Sequence, residues 1–492
     1  MKTETRRIAV VSNRLPVVLT RNDRGRIRIK PGSGGLVTAV GPVLKDKGGL
    51  WIGWPGSADI KNSQKYLDKI CADAGYGLKA VELTEDEIRK YYYGYSNSVL
   101  WPLFHDLPSR CNFDPDFWPV YEQVNRKFAE KIVEVTEKTD YVWIQDYQLC
   151  LVASQLKKLR ENRKTGFFLH ILFPSMDIFL KLPQRLEILK ALLEFDIIGF
   201  QTGRDRQNFI KCVKTLIPGS RTSGRSNVID MTTSDRKLRV GSFPISIDFN
   251  DFADRAKSRE IAEQAWYTHE KLPGRKLVLG VDRLDYSKGI PERIRAVDKA
   301  LELYPELREN ITFIQIVVPS RTEVEEYQIL KAEIERLVGE INGKYTAPGW
   351  TPIHYIFGSQ TPTQLLAYYR TCEIALITPL KDGMNLVAKE YCASSIEEDG
   401  VLILSEFAGA ATQLGNGALL VNPFDTIGVA SAIHTAFKMQ KSEKRSRMRS
   451  MRRSIRRNDI HKWVDNFLEA SIARKLKDIS QDNEMYVEKA WG

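Results

Sequence analysis

Short runs of β-branched and aliphatic residues alternate with segments of helical periodicity along most of the chain. Ile8-Ala9-Val10-Val11 reads as a buried strand, and a loop leads from it to a helical stretch at Leu36–Val43. Tyr141–Ile144, Gly166–Leu169 and Asp196–Phe200 follow, each with a helical stretch after it. A second series begins beyond Phe243-Pro244 and runs through Lys276–Val281, Ile311–Val318, Ile353–Phe357, Ile374–Ile377 and Val401–Leu404. Strand–helix alternation of this kind predicts parallel sheets with helices on both faces. Each series holds enough strands for its own doubly wound sheet, with the boundary near residues 245–250. The expected fold class is therefore α/β, two Rossmann-like domains facing each other across a cleft, with ligands at the carboxyl ends of the strands.

Composition agrees with that picture and removes alternatives. At 492 residues the chain suits two or three domains, and 27% charged with 43% hydrophobic residues excludes disordered, collagen-like and membrane classes. Cys71, Cys111, Cys150, Cys212, Cys372 and Cys392 are scattered without a C-x-x-C, so they read as reduced thiols. The apolar run after Met1–Arg7 is too short for a signal-peptide core, and nothing approaches the ~20 apolar residues of a membrane span. These features predict a cytoplasmic protein. Net charge is +11, but Lys438–Arg457 alone holds ten basic residues against Glu443. Met448, Met451 and Ile455 stand at helical spacing there, which predicts an amphipathic helix with a solvated basic face, not a nucleic-acid site.

Several chemistries are absent from the sequence. No G-x-x-x-x-G-K-[ST] occurs, and Gly32-Ser33-Gly34-Gly35-Leu36-Val37 lacks the third glycine of a dinucleotide fingerprint. Asp114-Pro115-Asp116 resembles a metal-binding D-x-D but reads better as an N-cap with Pro at N1 of a helix over 116–137.

Two segments carry positive indications. Val281–Ile290 follows a buried strand and precedes a helix, which places Arg283 and Lys288 on a strand–helix loop. A guanidinium fork and an ammonium beside a helix N-terminus suit a diphosphate, and the plainer reading is an ion pair with Asp282 or Asp285. In Thr378–Glu390 a strand ends, a tight turn follows and a helix begins near Asn385. Gly383 allows close backbone approach, the amides of Met384, Asn385 and Leu386 point outward, Asp382 can accept from sugar hydroxyls, and Glu390 can take a ribose diol. Arg14, Tyr92, Trp101, Asp146, His170 and Arg321 add cations, an acid, an imidazole and aromatic faces near strand ends, a set that fits a sugar phosphate. Each also has a bland reading as packing or a surface pair.

These motifs together resemble the retaining GT-B glycosyltransferases of family 20, which make trehalose 6-phosphate. The resemblance runs through Val11–Val17, Ser33–Leu36, Trp51–Trp54, Ser96–Pro102, Val281–Gly289, Val318–Arg321, Thr378–Tyr391 and Leu404–Gly409. It implies an N-terminal acceptor domain (1–247), a C-terminal nucleotide-sugar domain (248–455) and a helical segment (456–492) returning to the first. It implies that Arg283 and Lys288 hold the diphosphate, that Glu390 takes the ribose, and that Asp382 with the 383–386 backbone takes glucose and phosphate. Gly35 would lie over the donor, and His170 would contact the transferred sugar. Arg14, Tyr92, Trp101, Asp146 and Arg321 would surround glucose 6-phosphate, with Asp146 and His170 joining the two cations as catalytic residues.

On this resemblance the reaction is UDP-glucose plus glucose 6-phosphate giving α,α-trehalose 6-phosphate and UDP, without a bound metal or a cofactor beyond the substrate. The expected partners are a sugar nucleotide and a sugar phosphate, with no nucleic acid and no membrane; a homo-oligomer stays open. The chain departs from the family pattern at Gln145-Asp146-Tyr147-Gln148-Leu149, where His-Asp-Tyr-His-Leu is usual, at Leu172 and at Ser246. Phe357–Thr361 selects no nucleotide among UDP, GDP and ADP. Two other readings remain: a related transferase with another phosphorylated acceptor, such as glycerol 3-phosphate, or a cyclitol donor, and a non-catalytic subunit that senses sugar phosphates.

Overall fold

The computed structural model describes residues 7–21, 26–32, 35–60, 62–321, 324–473 and 475–479. Chain contacts divide into two units, one of Met1–Ile245 with His461–Gly492 and one of Ser246–Ile460.

The first unit contains β1 (Ile8–Arg14), β2 (Val17–Arg21), β3 (Ile27–Pro31), β4 (Gly49–Trp54), β5 (Gly77–Ala80), β6 (Tyr141–Gln145), β7 (Lys164–Phe168), β8 (Ile197–Phe200), β9 (Arg221–Ser223), β10 (Val228–Thr232) and β11 (Lys237–Ser242). Its main sheet has the order β5-β4-β1-β6-β7-β8-β11-β10-β9. The strands from β5 to β11 in that order pair in parallel. β10 and β9 extend the edge antiparallel, and β2 and β3 form a separate hairpin. The apolar runs of β1 and β6 are buried along their length because helices cover both faces of the sheet.

The second unit holds β12 (Lys276–Arg283), β13 (Ile311–Val318), β14 (Ile353–Phe357), β15 (Ile374–Ile377), β16 (Val401–Ser405) and β17 (Leu419–Val421). Its sheet, ordered β14-β13-β12-β15-β16-β17, is parallel throughout.

Strand order reverses at β1/β6 in the first unit and at β12/β15 in the second. Loops after neighbouring strands part there and leave a crevice at the carboxyl ends.

Strands the hydrophobic pattern missed have identifiable reasons. β4 reads Gly-Leu-Trp-Ile-Gly-Trp, without β-branched enrichment, and β9, β10 and β11 mix polar with apolar residues at a sheet edge. The expected cap at Asp114 is also corrected. The helix starts at Phe117, and Asp114 Oδ1 instead accepts the Asp116 N–H at 2.9 Å in the turn before it. Because the Asp114 side chain closes its own turn, Pro115 is not at N1. The basic segment forms the helix Lys441–Arg457, with Met448, Met451 and Ile455 buried as its spacing requires.

The helix Ile460–Ile472 packs on the first sheet. Trp143 of β6 stacks on Phe467 with ring centroids 4.6 Å apart, Trp463 meets Phe168 of β7 edge-on at 5.0 Å, and the Trp463 indole donates to the Phe243 carbonyl at 3.0 Å. Gly166 and Gly199 make room, since a Cβ there would stand 3.0 and 2.8 Å from the Phe467 ring. Trp463→Ala removes a large buried ring and its hydrogen bond, so chemical denaturation should show a loss of ~3–5 kcal/mol.

Candidate active site

In the second unit, two loops flank the β12/β15 reversal. β12 ends at Arg283, which is exposed, and the chain turns through Tyr286–Lys288 into the helix Ile290–Leu303. Lys288 Nζ lies 2.7 Å from Asp382 Oδ2, with both side chains largely buried. The pairing differs from the ion pairs read from the sequence, because Asp282 is taken by Arg293 and Asp285 by Arg321, 3.6 Å away. Burial pushes the Asp285 carboxyl up, but Arg321, Lys288 and Arg283 outweigh it and hold the group below the usual carboxylate range.

After β15 the chain crosses to the same crevice. The Leu380 N–H donates to the Ser287 carbonyl at 2.9 Å, so backbone joins the two loops directly. A Cβ on Gly289, at φ 62°, would stand 2.7 Å from the Thr378 carbonyl. On its far side the loop is held by 407–410: Asp382 N–H to Phe407 O, Gly409 N–H to Asp382 O and Ala410 N–H to Met384 O. Gly409 has no space for a Cβ, which would meet the Gly383 carbonyl at 2.0 Å. Asn385 caps the helix Leu386–Ser394, its Oδ1 accepting from Ala388 N–H at 3.1 Å while its Nδ2 donates to Asp382 Oδ2 at 3.1 Å. Met384 and Asn385 are buried, and Leu386 opens the helix. Glu390, one turn in, accepts from the Tyr369 hydroxyl at 2.8 Å; burial raises its pKa. Arg321 belongs to this unit, where its guanidinium contacts the Tyr327 hydroxyl as well as Asp285.

The first unit carries the remaining candidates. Arg14 ends β1 with its guanidinium 4.8 Å from the Trp54 ring and 5.3 Å from the Tyr92 ring, so two aromatic faces hold a cation at a strand end. Tyr92 lies on a wide π-helical segment, Ile88–Leu100, in which Asn97 and Ser98 side chains donate to the Tyr92 and Tyr93 carbonyls. Such segments are rare and recur at functional sites. Trp101 is only 6% exposed, against His105 and Tyr147, which fits packing as well as a platform. Asp146 follows β6 with φ 74° and ψ 168°, a region that costs a non-glycine residue ~1–3 kcal/mol. Its Oδ1 accepts the His170 backbone N–H at 3.0 Å. The His170 ring, after β7, contacts Gln145 Oε1 at 2.8 Å, and burial lowers its pKa to about 3. Gly35 begins the helix Gly35–Lys47, while Ser33 and Gly34 lie outside the described residues. Among the described residues no group of three or more His, Cys, Asp or Glu could hold a metal.

The family model for glycosyltransferase family 20 matches residues 6–472. The chain belongs to this family. A trehalose-6-phosphate synthase of Mycolicibacterium smegmatis is 42% identical over 470 residues, covering 94% of this chain and 92% of the relative. A crystal structure of the UDP-forming α,α-trehalose-phosphate synthase from Burkholderia xenovorans in complex with glucose-6-phosphate matches with a TM-score of 0.85 and 34% identity, over 94% of this chain and 99% of that one. An E. coli structure described as bound with UDP-2-fluoro glucose matches with a TM-score of 0.83 and 36% identity, over 94% and 98%.

Within this family 20 glycosyltransferase, residues that sequence reasoning passed over support the named ones. Arg293, 1% exposed, donates from Nε to Thr378 Oγ1 at 3.0 Å, from Nη1 to Asp282 and to Gln315 Oε1 at 3.1 Å, and from Nη2 to the Lys288 carbonyl at 3.3 Å. Gly280 clears the way, since a Cβ there would stand 2.9 Å from Nη1. Trp54 was visible only as part of a motif, and its place under Arg14 needs the β1/β4 pairing. Gln145 was visible as a departure, and its contact with His170 needs the β6/β7 register.

Arg293→Met strands a buried Asp282 carboxylate and should cost about 3–5 kcal/mol in chemical denaturation. The His170 imidazole titrates near 3 when folded and near 6.5 when unfolded. The unfolded chain therefore binds a proton first as pH falls, and His170 subtracts stability from about pH 6.5 down to 3, by up to ~1.4 kcal/mol per pH unit. His170→Gln should remove that slope from denaturation free energies measured against pH.

Proposed function

We propose that the chain transfers glucose from UDP-glucose to glucose 6-phosphate with retention of anomeric configuration, giving α,α-trehalose 6-phosphate and UDP. The observation that carries this reading is the pair of loops at β12/β15, where Lys288 meets Asp382 beside two helix starts, with Arg283 and Glu390 on the same two segments. Relatives of that activity at near full length support it.

The anomeric C–O bond of the donor breaks toward the diphosphate, leaving positive charge on the sugar and negative charge on the leaving group. Arg283 and Lys288 stabilise that negative charge, and preorganised cations in a partly dry site act far more strongly than in water. The acceptor hydroxyl attacks from the face the leaving group departs, forming the new C–O bond, and its proton passes to the departing phosphate oxygen. No pair of nucleophile and acid carboxylates is required. Asp382 and the 383–386 amides orient the glucose, and Glu390 takes the ribose hydroxyls with its second carboxylate oxygen. In the first unit Arg14, braced on Trp54 and Tyr92, and Asp146 serve the acceptor, with Trp101 behind them. Arg321 supplies a further cation for its phosphate. The substrate nucleotide sugar is the only cofactor-like molecule in this scheme. A cytosolic location agrees with six thiols that form no disulfide.

Nucleotide diphosphate release measured over a panel of donors and acceptors tests the reading, and no turnover with UDP-glucose and glucose 6-phosphate would refute it. Measurable sugar-phosphate binding without turnover by any pair would point to the sensing subunit instead. Lys288→Ala should lower kcat by on the order of 100-fold. Arg321→Ala should chiefly raise the KM for the acceptor, and an unchanged acceptor KM would remove Arg321 from that role.

A further inference from the structure

Gln145 closes β6 and is completely buried. Its Oε1 lies 2.8 Å from His170 Nε2, whereas its Nε2 has no hydrogen-bond partner among the described residues. The imidazole is fixed from several directions. Its backbone N–H donates to Asp146 Oδ1 at 3.0 Å, its carbonyl accepts from Gln201 Nε2 at 3.3 Å, and its ring lies 4.7 Å from Phe168 and 6.2 Å from Trp463. Gln201 is itself anchored, its Oε1 accepting the Ile245 N–H at 3.0 Å. The ring therefore has little freedom to turn and exchange its nitrogens.

A neutral imidazole carries one N–H and one lone pair, and the partner of one nitrogen decides the character of the other. Burial keeps this ring neutral at working pH. A carboxamide oxygen can only accept. We propose that Gln145 is a positioning residue: its Oε1 fixes His170 as the Nε2–H tautomer and leaves Nδ1 as an acceptor for a hydroxyl of the transferred sugar. The sugar contact rests on the proposed function, and the tautomer does not. A carboxylate at position 145 would hold the same tautomer but favour the imidazolium. A histidine there could accept or donate and would leave the sense open. Glutamine accepts and does not titrate.

The imidazole nitrogen-15 shifts of the full chain, assigned by comparison with His170→Phe, read the tautomer without substrate. The wild type should show Nε2–H in roughly tenfold or greater excess, and Gln145→Met, close in volume, should show both tautomers. Gln145→Glu, measured at a pH where the imidazole is neutral, should restore Nε2–H alone. In kinetics Gln145→Met should raise the KM for UDP-glucose by about three- to tenfold and leave the acceptor KM unchanged. In binding measurements with UDP-glucose analogues altered at C3, C4 or C6, one position should lose equally on deoxygenation and on fluorination, since fluorine cannot donate. A reversed carboxamide would give Nδ1–H in the wild type and overturn the proposal. So would a Gln145→Met protein with an unchanged single tautomer, or fluorinated analogues that bind like UDP-glucose at every position. An Nε2–H wild type that fails to turn over UDP-glucose would refute the proposed reaction while upholding the tautomer assignment.

Discussion

One guanidinium holds the second unit's loops in place. Arg293 is buried with its charge, which is tolerable only because every direction it points finds an acceptor: Asp282 at the end of β12, Gln315 within β13, Thr378 after β15 and the carbonyl of Lys288 itself. Burial still raises the Asp282 pKa against the pull of Arg293, so the pair is held by geometry and hydrogen bonding, not by cheap electrostatics. The result is a frame in which three neighbouring strands and the turn carrying Lys288 share one planar donor group. Lys288 can then be paired with Asp382, 94 positions later, without depending on a flexible loop for its position.

Three candidate-site residues have backbone in the left-handed or another sparsely populated region. Asp146, Arg321 and Asn385 all have positive φ, of 74°, 50° and 73°. Each is anchored by its own side chain: Asp146 to the His170 amide, Arg321 to Asp285, Asn385 to the Ala388 amide. Conformations of this sort persist where surrounding contacts overdetermine them, and they fix where a side chain stands more narrowly than an ordinary loop does.

Much of this was legible before any coordinates. β13, β14 and β15 carry the limits that the apolar runs give, because β13 and β15 are buried along almost their whole length and β14 is rich in β-branched and aromatic residues. β9 (Arg-Thr-Ser) and β10 (Val-Ile-Asp-Met-Thr) are short and interrupted by polar residues, and so left no comparable trace. In the candidate site, residue type and position after a strand marked Arg283, Lys288, Asp382 and Glu390 as candidates. What spacing could not supply was partnership. Asp282 and Asp285 are the near neighbours of Lys288 in sequence, yet its partner comes from beyond β15. Arg293 looks like any charge in an amphipathic helix until Gly280 and Gln315 are seen across from it.

The chain leaves the first unit at Ile245 and does not return until His461. Trp463 and Phe467, which close the hydrophobic layer over β6 and β7, are thus synthesised only after the whole of the second unit. At about 5–20 residues per second, a ribosome takes roughly 10–45 s to deliver them after β11 has been made. The second unit, being continuous in the chain, can mature first, while the earlier-made sheet waits with an apolar face uncovered. Order of birth and order of completion are reversed, and the interval is one in which a cell's holding chaperones would find the nascent protein a client.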